Sequence, residues 1–238
     1  MQQLLIITPV KDSIDHTVRT MEAVVQSELD VPHRYVVFND NSTPENTARL
    51  HTEAARLGVE VVDLATLTDH PSPNYLFVLR RCRKEALADD AGLLIVESDV
   101  TVQRDTLQKL FDGATARPNC GIAAAVTVDE EGKINYPYLY ARGKEGQDYD
   151  CKKHCSFCCS LLTPALLKAC DFDRLDDSKN WFDVTISHDS LAAGLRNYLF
   201  CSLPVVHRPH GSRPWKQLKY TNPIKYYWTK WTKGFDKI

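Results

Sequence analysis

The sequence predicts an α/β domain on a mostly parallel sheet, and three observations carry that prediction. Four short apolar runs, at residues 4–8, 35–38, 59–64 and 93–96, alternate with stretches whose apolar residues recur at helical spacing. Such alternation implies right-handed strand–helix–strand units and parallel strands. The fourth run, Leu93-Leu94-Ile95-Val96, is continuously aliphatic, as a strand buried on both faces requires, and it stops abruptly at Glu97-Ser98-Asp99. The chain has 238 residues, enough to bury one large core without disulfide staples.

Taken in order, residues 4–8 form a strand ended by Pro9, and Ile14, Val18, Met21 and Val25 then line one face of a helix capped by Asp12 or Ser13. The second strand, 35–38, runs into Asn39-Asp40-Asn41-Ser42-Thr43-Pro44-Glu45, where Ser42 and Glu45 suit a capping box and Pro44 a first helical turn. A helix through Leu50, Ala54 and Leu57 stops at Gly58. The third strand, 59–64, leads through a polar loop with proline to a helix carrying Leu76, Leu79, Ala86 and Leu87, and the aliphatic fourth strand follows.

Beyond a helix at 107–111 the rhythm changes. Residues 121–128 read as a fifth strand, 129–150 as a charged, tyrosine-rich inserted hairpin or loop, 157–162 as renewed apolar chain and 164–169 as a short helix. The acidic stretch 171–183 reads as loop. A helix beginning near Ser187 carries Leu191, Leu195 and Leu199, and 203–206 is the last strand. The organisation is one domain over 1–212, with a regular part at 1–120 and a less regular part at 121–212, followed by an extension at 213–238.

Composition excludes several classes. The formal charge of −2 argues against a nucleic-acid partner, which usually calls for a strongly basic domain. The first turn, Pro9-Val10-Lys11-Asp12, has no glycine, so the dinucleotide fingerprint is missing, and no phosphate-binding P-loop occurs anywhere. The N-terminus lacks the basic region of a signal peptide, and no segment has transmembrane length. Eight cysteines in such a chain read as reduced thiols and predict a cytoplasmic protein.

What the strand exits carry instead is acid: Asp12 after the first, Asp40 after the second, Glu97 and Asp99 after the fourth. In open α/β sheets ligands bind outside the carboxyl ends of the strands, so these carboxylates are candidates for a divalent cation and a polar ligand.

With those residues in place the sequence resembles the family 2 glycosyltransferases of the GT-A fold. Ile6-Ile7-Thr8-Pro9-Val10 looks like that family's first strand and proline turn, and residues 36–43 look like its strand ending in Asp-Asp-Gly-Ser-Thr, with Asn39 and Asn41 replacing the first Asp and the Gly. Glu97-Ser98-Asp99 looks like a variant Asp-x-Asp motif, and Phe172-Asp173 like the family's Gly-Phe-Asp turn. His188-Asp189 matches the place of an Glu-Asp pair, and Val205-Val206-His207-Arg208-Pro209-His210-Gly211-Ser212 a strand followed by a histidine and glycine/serine turn.

The resemblance spans about residues 4 to 212 and implies a GT-A-type three-layer α/β/α sandwich. It implies transfer of a sugar from a UDP- or GDP-sugar, bound by residues 1–120, to a saccharide, lipid-linked or other hydroxyl acceptor, bound by residues 121–212, with Mn²⁺ or Mg²⁺ as cofactor and inversion at the anomeric carbon. Thr8, Pro9, Val10, Asp40, Asn74, Arg81, Glu97 and Ser98 would hold the nucleotide sugar, Asp40 accepting an N–H from the base and Arg81 reaching a phosphate. Asp99, His207 and His210 would hold the metal, and Asp189 would be the general base, placed near a helix N-terminus.

Other signals compete. Arg80-Arg81-x-Arg83-Lys84 also reads as a solvated helix face. Cys151-x-x-x-Cys155-x-x-Cys158 has the spacing of a radical S-adenosylmethionine iron–sulfur motif, but four strand–helix units precede it. Cys151, His154, Cys155, Cys158 and Cys159 also suit a structural zinc site, and buried reduced thiols are the simplest reading. The tail from Arg213 has seven Lys/Arg against one acid, interleaved with aromatics. It suits the inner face of an anionic membrane as a peripheral contact, a cover on the acceptor cleft, an oligomer contact, or a solvated tail folded back on the sheet. A sugar-phosphate nucleotidyltransferase and a degenerate nucleotide-sugar-binding protein are the alternative functions.

Overall fold

Backbone pairing turns the strand–helix alternation into one large sheet. The structure is a computed structural model that describes residues 1–178, 181–209, 218 and 222–232. Its first half runs β1 (Leu4–Val10), α1 (Ile14–Val25), β2 (His33–Asn39), α2 (Pro44–Leu57), β3 (Glu60–Asp63), α3 (Tyr75–Ala88) and β4 (Gly92–Val96). The second half runs β5 (Val100–Thr101), α4 (Thr106–Ala116), β6 (Cys120–Val128), β7 (Tyr149–Asp150), β8 (Cys159–Leu162), α5 (Pro164–Ala169), α6 (Phe182–Ala192), β9 (Arg196–His207) and the tail helix α7 (Pro223–Thr232). The sheet order is β3-β2-β1-β4-β8-β6-β9-β5, with β7 on the side of β9.

The first four strands are parallel, in the order expected of consecutive right-handed units, with Ile6 level with Tyr35 and Leu94. Beyond β4 the sheet is mixed: β8 runs antiparallel to both β4 and β6, while β6 and β9 are parallel. This reversal brings the start of β8 to the same edge as the end of β4, which the repetitive first half of the sequence gave no reason to expect.

Alternation along the strands sorts side chains into cores on the two faces. Leu5, Ile7, Val36, Phe38, Leu93 and Ile95 pack with α3, α5 and α6. Leu4, Ile6, Leu94 and Val96 pack with α4 on the other face, where α1 and α2 close a smaller cluster around Met21, Val37 and Leu50. The result is the three-layer arrangement predicted. Leu93 to Val96 are all fully buried, and each such aliphatic side chain contributes about 1.5–3 kcal/mol of burial.

Three local expectations need correction. The cap of α2 is Thr43, not Ser42: its side chain accepts from the Asn46 N–H, while Ser42 Oγ accepts from the Asp12 N–H. The helix placed near Ser187 begins five residues earlier, at Phe182, because Phe182 and Ile186 supply the apolar face that joins the α3 side core. It ends at Ala192, since Gly194 takes a left-handed φ of +79°. Leu199 therefore lies on a twelve-residue β9, whose Asn197-to-Cys201 run is buried, rather than on the helix. No helix among the described residues is long and apolar enough to cross a membrane.

Candidate functional site

Two ladders bring four side chains together at the carboxyl edge of β4. The β4–β8 pairing sets Val96 opposite Cys159, so the next residue out, Glu97, meets Cys158: the Glu97 N–H donates to the Cys158 carbonyl at 2.9 Å, and the Cys158 thiol donates to Glu97 Oε2 at 3.2 Å. The β5–β9 pairing sets Val100 opposite His207, and the Asp99 carbonyl accepts from the Arg208 N–H at 3.0 Å. His207 Nε2 then lies 3.4 Å from Asp99 Oδ2 and 3.9 Å from Cys158 Sγ. Asp99, Cys158 and His207 are buried and Glu97 partly so.

The electrostatics follow from that crowding. Burial, and then the neighbouring Asp99 charge, push the Glu97 carboxyl up to about 7, although His207 opposes them. Burial disfavours the His207 imidazolium, but the hydrogen bond and charge of Asp99, the Glu97 charge and the Tyr136 carbonyl outweigh it and raise its pKa. Burial likewise raises the Cys158 thiol, with Glu97 and Asp99 adding to it. His207 Nδ1 lies 2.7 Å from the Tyr136 carbonyl oxygen, which can only accept, so Nδ1 carries a proton and Nε2 is the nitrogen turned to the acids.

These residues fit a divalent cation. Among the described residues, Glu97, Cys158 and His207 form the group whose ligand atoms all lie within 4.8 Å of one another. Asp99 adds a second carboxylate, and the imidazole is already oriented by its other nitrogen. His210, expected as a further metal ligand, lies outside the described residues.

A second group forms where β1 and β2 end. The Asp40 N–H donates to the Val10 carbonyl, and the Asp40 carboxylate accepts from Ser72 Oγ at 2.7 Å, from the Asn74 N–H at 2.8 Å and from Asn74 Nδ2 at 2.7 Å. Asp40 and Asn74 are thus brought together at the start of α3, and Oδ1 keeps a lone pair for one further donor. Asn41 has a φ of +56°, a left-handed conformation that Asn tolerates and that explains how it replaces a glycine. Asp12 ties the two loops, accepting from the Thr43 N–H and Asn46 Nδ2.

Other predicted residues fall elsewhere. Pro9 is partly exposed at the strand exit and Ser98 is buried between the two acids. Thr8 is buried within the sheet, its hydroxyl 2.9 Å from that of Tyr35. Arg81 is paired with Glu85, which also binds Arg34 at the opposite, amino end of β2, so it stays out of the Asp40 group. Asp189 does not open a helix. It is exposed in the last turn of α6, where it borders a separate cleft with Cys170, Asp171, Trp181 and Thr185.

The acid in the first turn of α6 is Asp183, which lies within the acidic stretch expected to be loop. Its charge bears on the central cluster: burial raises the Tyr75 phenol, and Glu97 and then Asp183 add to that rise, as Asp183 also does for Glu97. The apolar spacing Phe182, Ile186 was the available signal, masked by the run of acids before it. The cysteine motif is also divided. Cys151 and Cys155 belong to one core and Cys158 and Cys159 to the other, so the sheet separates the thiols that a single zinc or iron–sulfur site would need.

No protein-family model and no curated protein matches the chain in sequence. Solved structures do match it in fold. The mannosyltransferase PcManGT from Pyrobaculum calidifontis, in complex with GDP-Man and Mn²⁺, superposes with a TM-score of 0.65 at 15% identity, over 95% of this chain and 63% of its own. S. aureus TarS 1–349 in complex with UDP-GlcNAc gives 0.61 at 14% identity, over 87% of this chain and 59% of its own. A mycobacterial protein gives 0.59 at 16% identity, over 91% and 70%. The chain therefore spans about 60% of the length of the first two. Its architecture, parallel strands continued by reversed ones in a single mixed sheet, is the GT-A-type α/β fold that it shares with these solved structures.

Proposed function

We propose that the protein is a glycosyltransferase that moves a sugar from a nucleoside-diphosphate donor to an acceptor hydroxyl, with inversion at the anomeric carbon. The observation that carries this reading is the convergence of Glu97, Asp99 and His207 at the carboxyl edge of a GT-A-type sheet, with the charge of Asp183, in the first turn of α6, adding to the rise of the Glu97 carboxyl. The solved complexes with GDP-Man and UDP-GlcNAc support a nucleotide-sugar donor.

In this reading the loops after β1 and β2 bind the nucleotide. Asp40, held rigid by Ser72 and Asn74, offers Oδ1 to a base N–H. Asp99 and His207 would help to hold a divalent cation, Mn²⁺ as in the PcManGT complex, which would supply positive charge against the departing diphosphate. Asp183, rather than Asp189, is the general base: it takes the acceptor hydroxyl's proton as the oxygen attacks the anomeric carbon opposite the diphosphate. A single carboxylate in that place suits inversion, which needs no enzyme nucleophile.

The exposed tail helix supports a peripheral membrane contact and a lipid-linked acceptor. Ile224, Tyr227, Trp228 and Trp231 recur at the spacing of one helix face and are 60% to 85% exposed, beside Lys225 and Lys230.

Calorimetry with GDP- and UDP-sugars in Mn²⁺, followed by turnover with saccharide and lipid-linked acceptors, tests the reading. Asp183→Asn is expected to keep donor binding and lose about 10²–10⁴ in turnover, whereas Asp189→Asn keeps both. Unchanged turnover in Asp183→Asn would remove the base from this assignment, and failure of every nucleotide sugar to bind would remove the function.

A further inference from the structure

The thiol at the centre of the acidic cluster has no part in the reaction just described. We infer that Cys158 is itself a ligand of the divalent cation, so that Glu97, Cys158 and His207 form a thiolate, imidazole and carboxylate set beside Asp99. The inference stands on the cluster alone, whether or not the protein transfers a sugar.

The spacing of the donors is the first argument. Zinc binds carboxylate oxygen and imidazole nitrogen at about 2.0–2.2 Å and thiolate sulfur at about 2.3 Å, so a tetrahedron of such ligands has edges of roughly 3.4–3.6 Å. The observed separations are 3.2 Å for Glu97 Oε2 to Cys158 Sγ, 3.4 Å for Asp99 Oδ2 to His207 Nε2, and 3.9 Å for Cys158 Sγ to His207 Nε2. Shifts of a few tenths of an ångström would bring the Glu97–Cys158 and Cys158–His207 pairs to the spacing of an ion's coordination shell. Preorganisation is the second argument. The Cys158 thiol already points at Glu97 Oε2, and the Tyr136 carbonyl fixes the ring of His207, so neither the thiol nor the imidazole needs to rotate into place.

Chemistry follows from the donor types. Mg²⁺ prefers an all-oxygen octahedron, whereas a sulfur and a nitrogen donor favour borderline ions such as Zn²⁺ and Co²⁺. On binding, the S–H bond of Cys158 ionises, sulfur donates its electron pair to the ion, and the proton leaves to solvent by way of Glu97, with no change of oxidation state. The other cysteines do not compete for the same place: Cys159, the next residue, is fully buried in the core, and Cys151 and Cys155 lie in the core on the other face.

The test uses the full chain, stripped of metal by chelator, and Co²⁺ alone as the probe. A stoichiometric near-ultraviolet sulfur-to-cobalt charge-transfer band is expected, together with intense visible bands of tetrahedral cobalt. Cys158→Ser should lose the charge-transfer band and still bind Co²⁺, with at least tenfold weaker affinity. Equimolar Zn²⁺ should displace the cobalt, and about a thousandfold excess of Mg²⁺ should not. A charge-transfer band that persists in Cys158→Ser, or wild-type cobalt spectra of an octahedral oxygen site, would overturn the inference. Should the serine variant fail to fold, X-ray absorption of the Zn²⁺-loaded wild type decides: one sulfur at about 2.3 Å beside imidazole scattering supports it, and a shell without sulfur rejects it.

Discussion

Glu97 shows at the scale of one residue why this site differs from a surface acid pair. Its carboxyl titrates near 7 because burial and Asp99 disfavour its charge. An acid whose pKa is raised by folding weakens the fold as pH climbs from its unfolded value, 4.5, through its folded value. The difference between Glu97→Gln and wild type should thus be near zero at pH 4 and grow through pH 7 to on the order of 3 kcal/mol in favour of the variant. Denaturant unfolding of the metal-free proteins at pH 4, 6 and 8 measures it, and a pH-independent difference would contradict the crowding argument. At this scale Asp40, Glu97, Asp99 and His207 were legible from the sequence, since each follows a strand. Cys158 was legible only as one of several thiols, and Asp183 not at all, because which acid enters the first turn of α6 depends on where that helix begins.

Elements decide orientation. Helix α6 starts at Phe182 because Phe182 and Ile186 need the core, and this carries Asp183 to the first turn and leaves Asp189 two turns on, exposed. Helix α7 buries Tyr226 and turns Ile224, Tyr227, Trp228 and Trp231 outward, the reverse of what a helix packed by its largest apolar face would do. Such a face, with no acid in its first turn and lysines at 225 and 230, predicts binding to anionic vesicles. Sedimentation with phosphatidylglycerol vesicles at low salt should carry down the wild type and lose most of the Trp228→Ala/Trp231→Ala double variant. Equal sedimentation of both proteins, or no preference over neutral vesicles, would refute the contact.

Across the whole molecule, β4 is the hinge between a parallel half and a mixed half, with cores on both faces meeting its side chains. Ile95→Ala should cost about 2–5 kcal/mol through lost burial and the cavity left behind, lowering Tm by roughly 4–20 °C in a chain of this size. Thermal unfolding measures it, and a drop under about 2 °C would mean that the strand is less central than its burial indicates. The sequence by itself determined the three-layer α/β class, the first four strands and the acids at their ends, because hydrophobic periodicity and strand exits are local properties of the chain. Only the tertiary structure decided the reversed strands, the pairing of Cys158 with Glu97, the pairing of Asp99 with His207, and the places of Asp183 in the first turn of α6 and Asp189 in its last. Those depend on which distant strands share a ladder and which helix face finds a core, and pairings between residues about fifty to a hundred positions apart leave no periodic trace in the sequence.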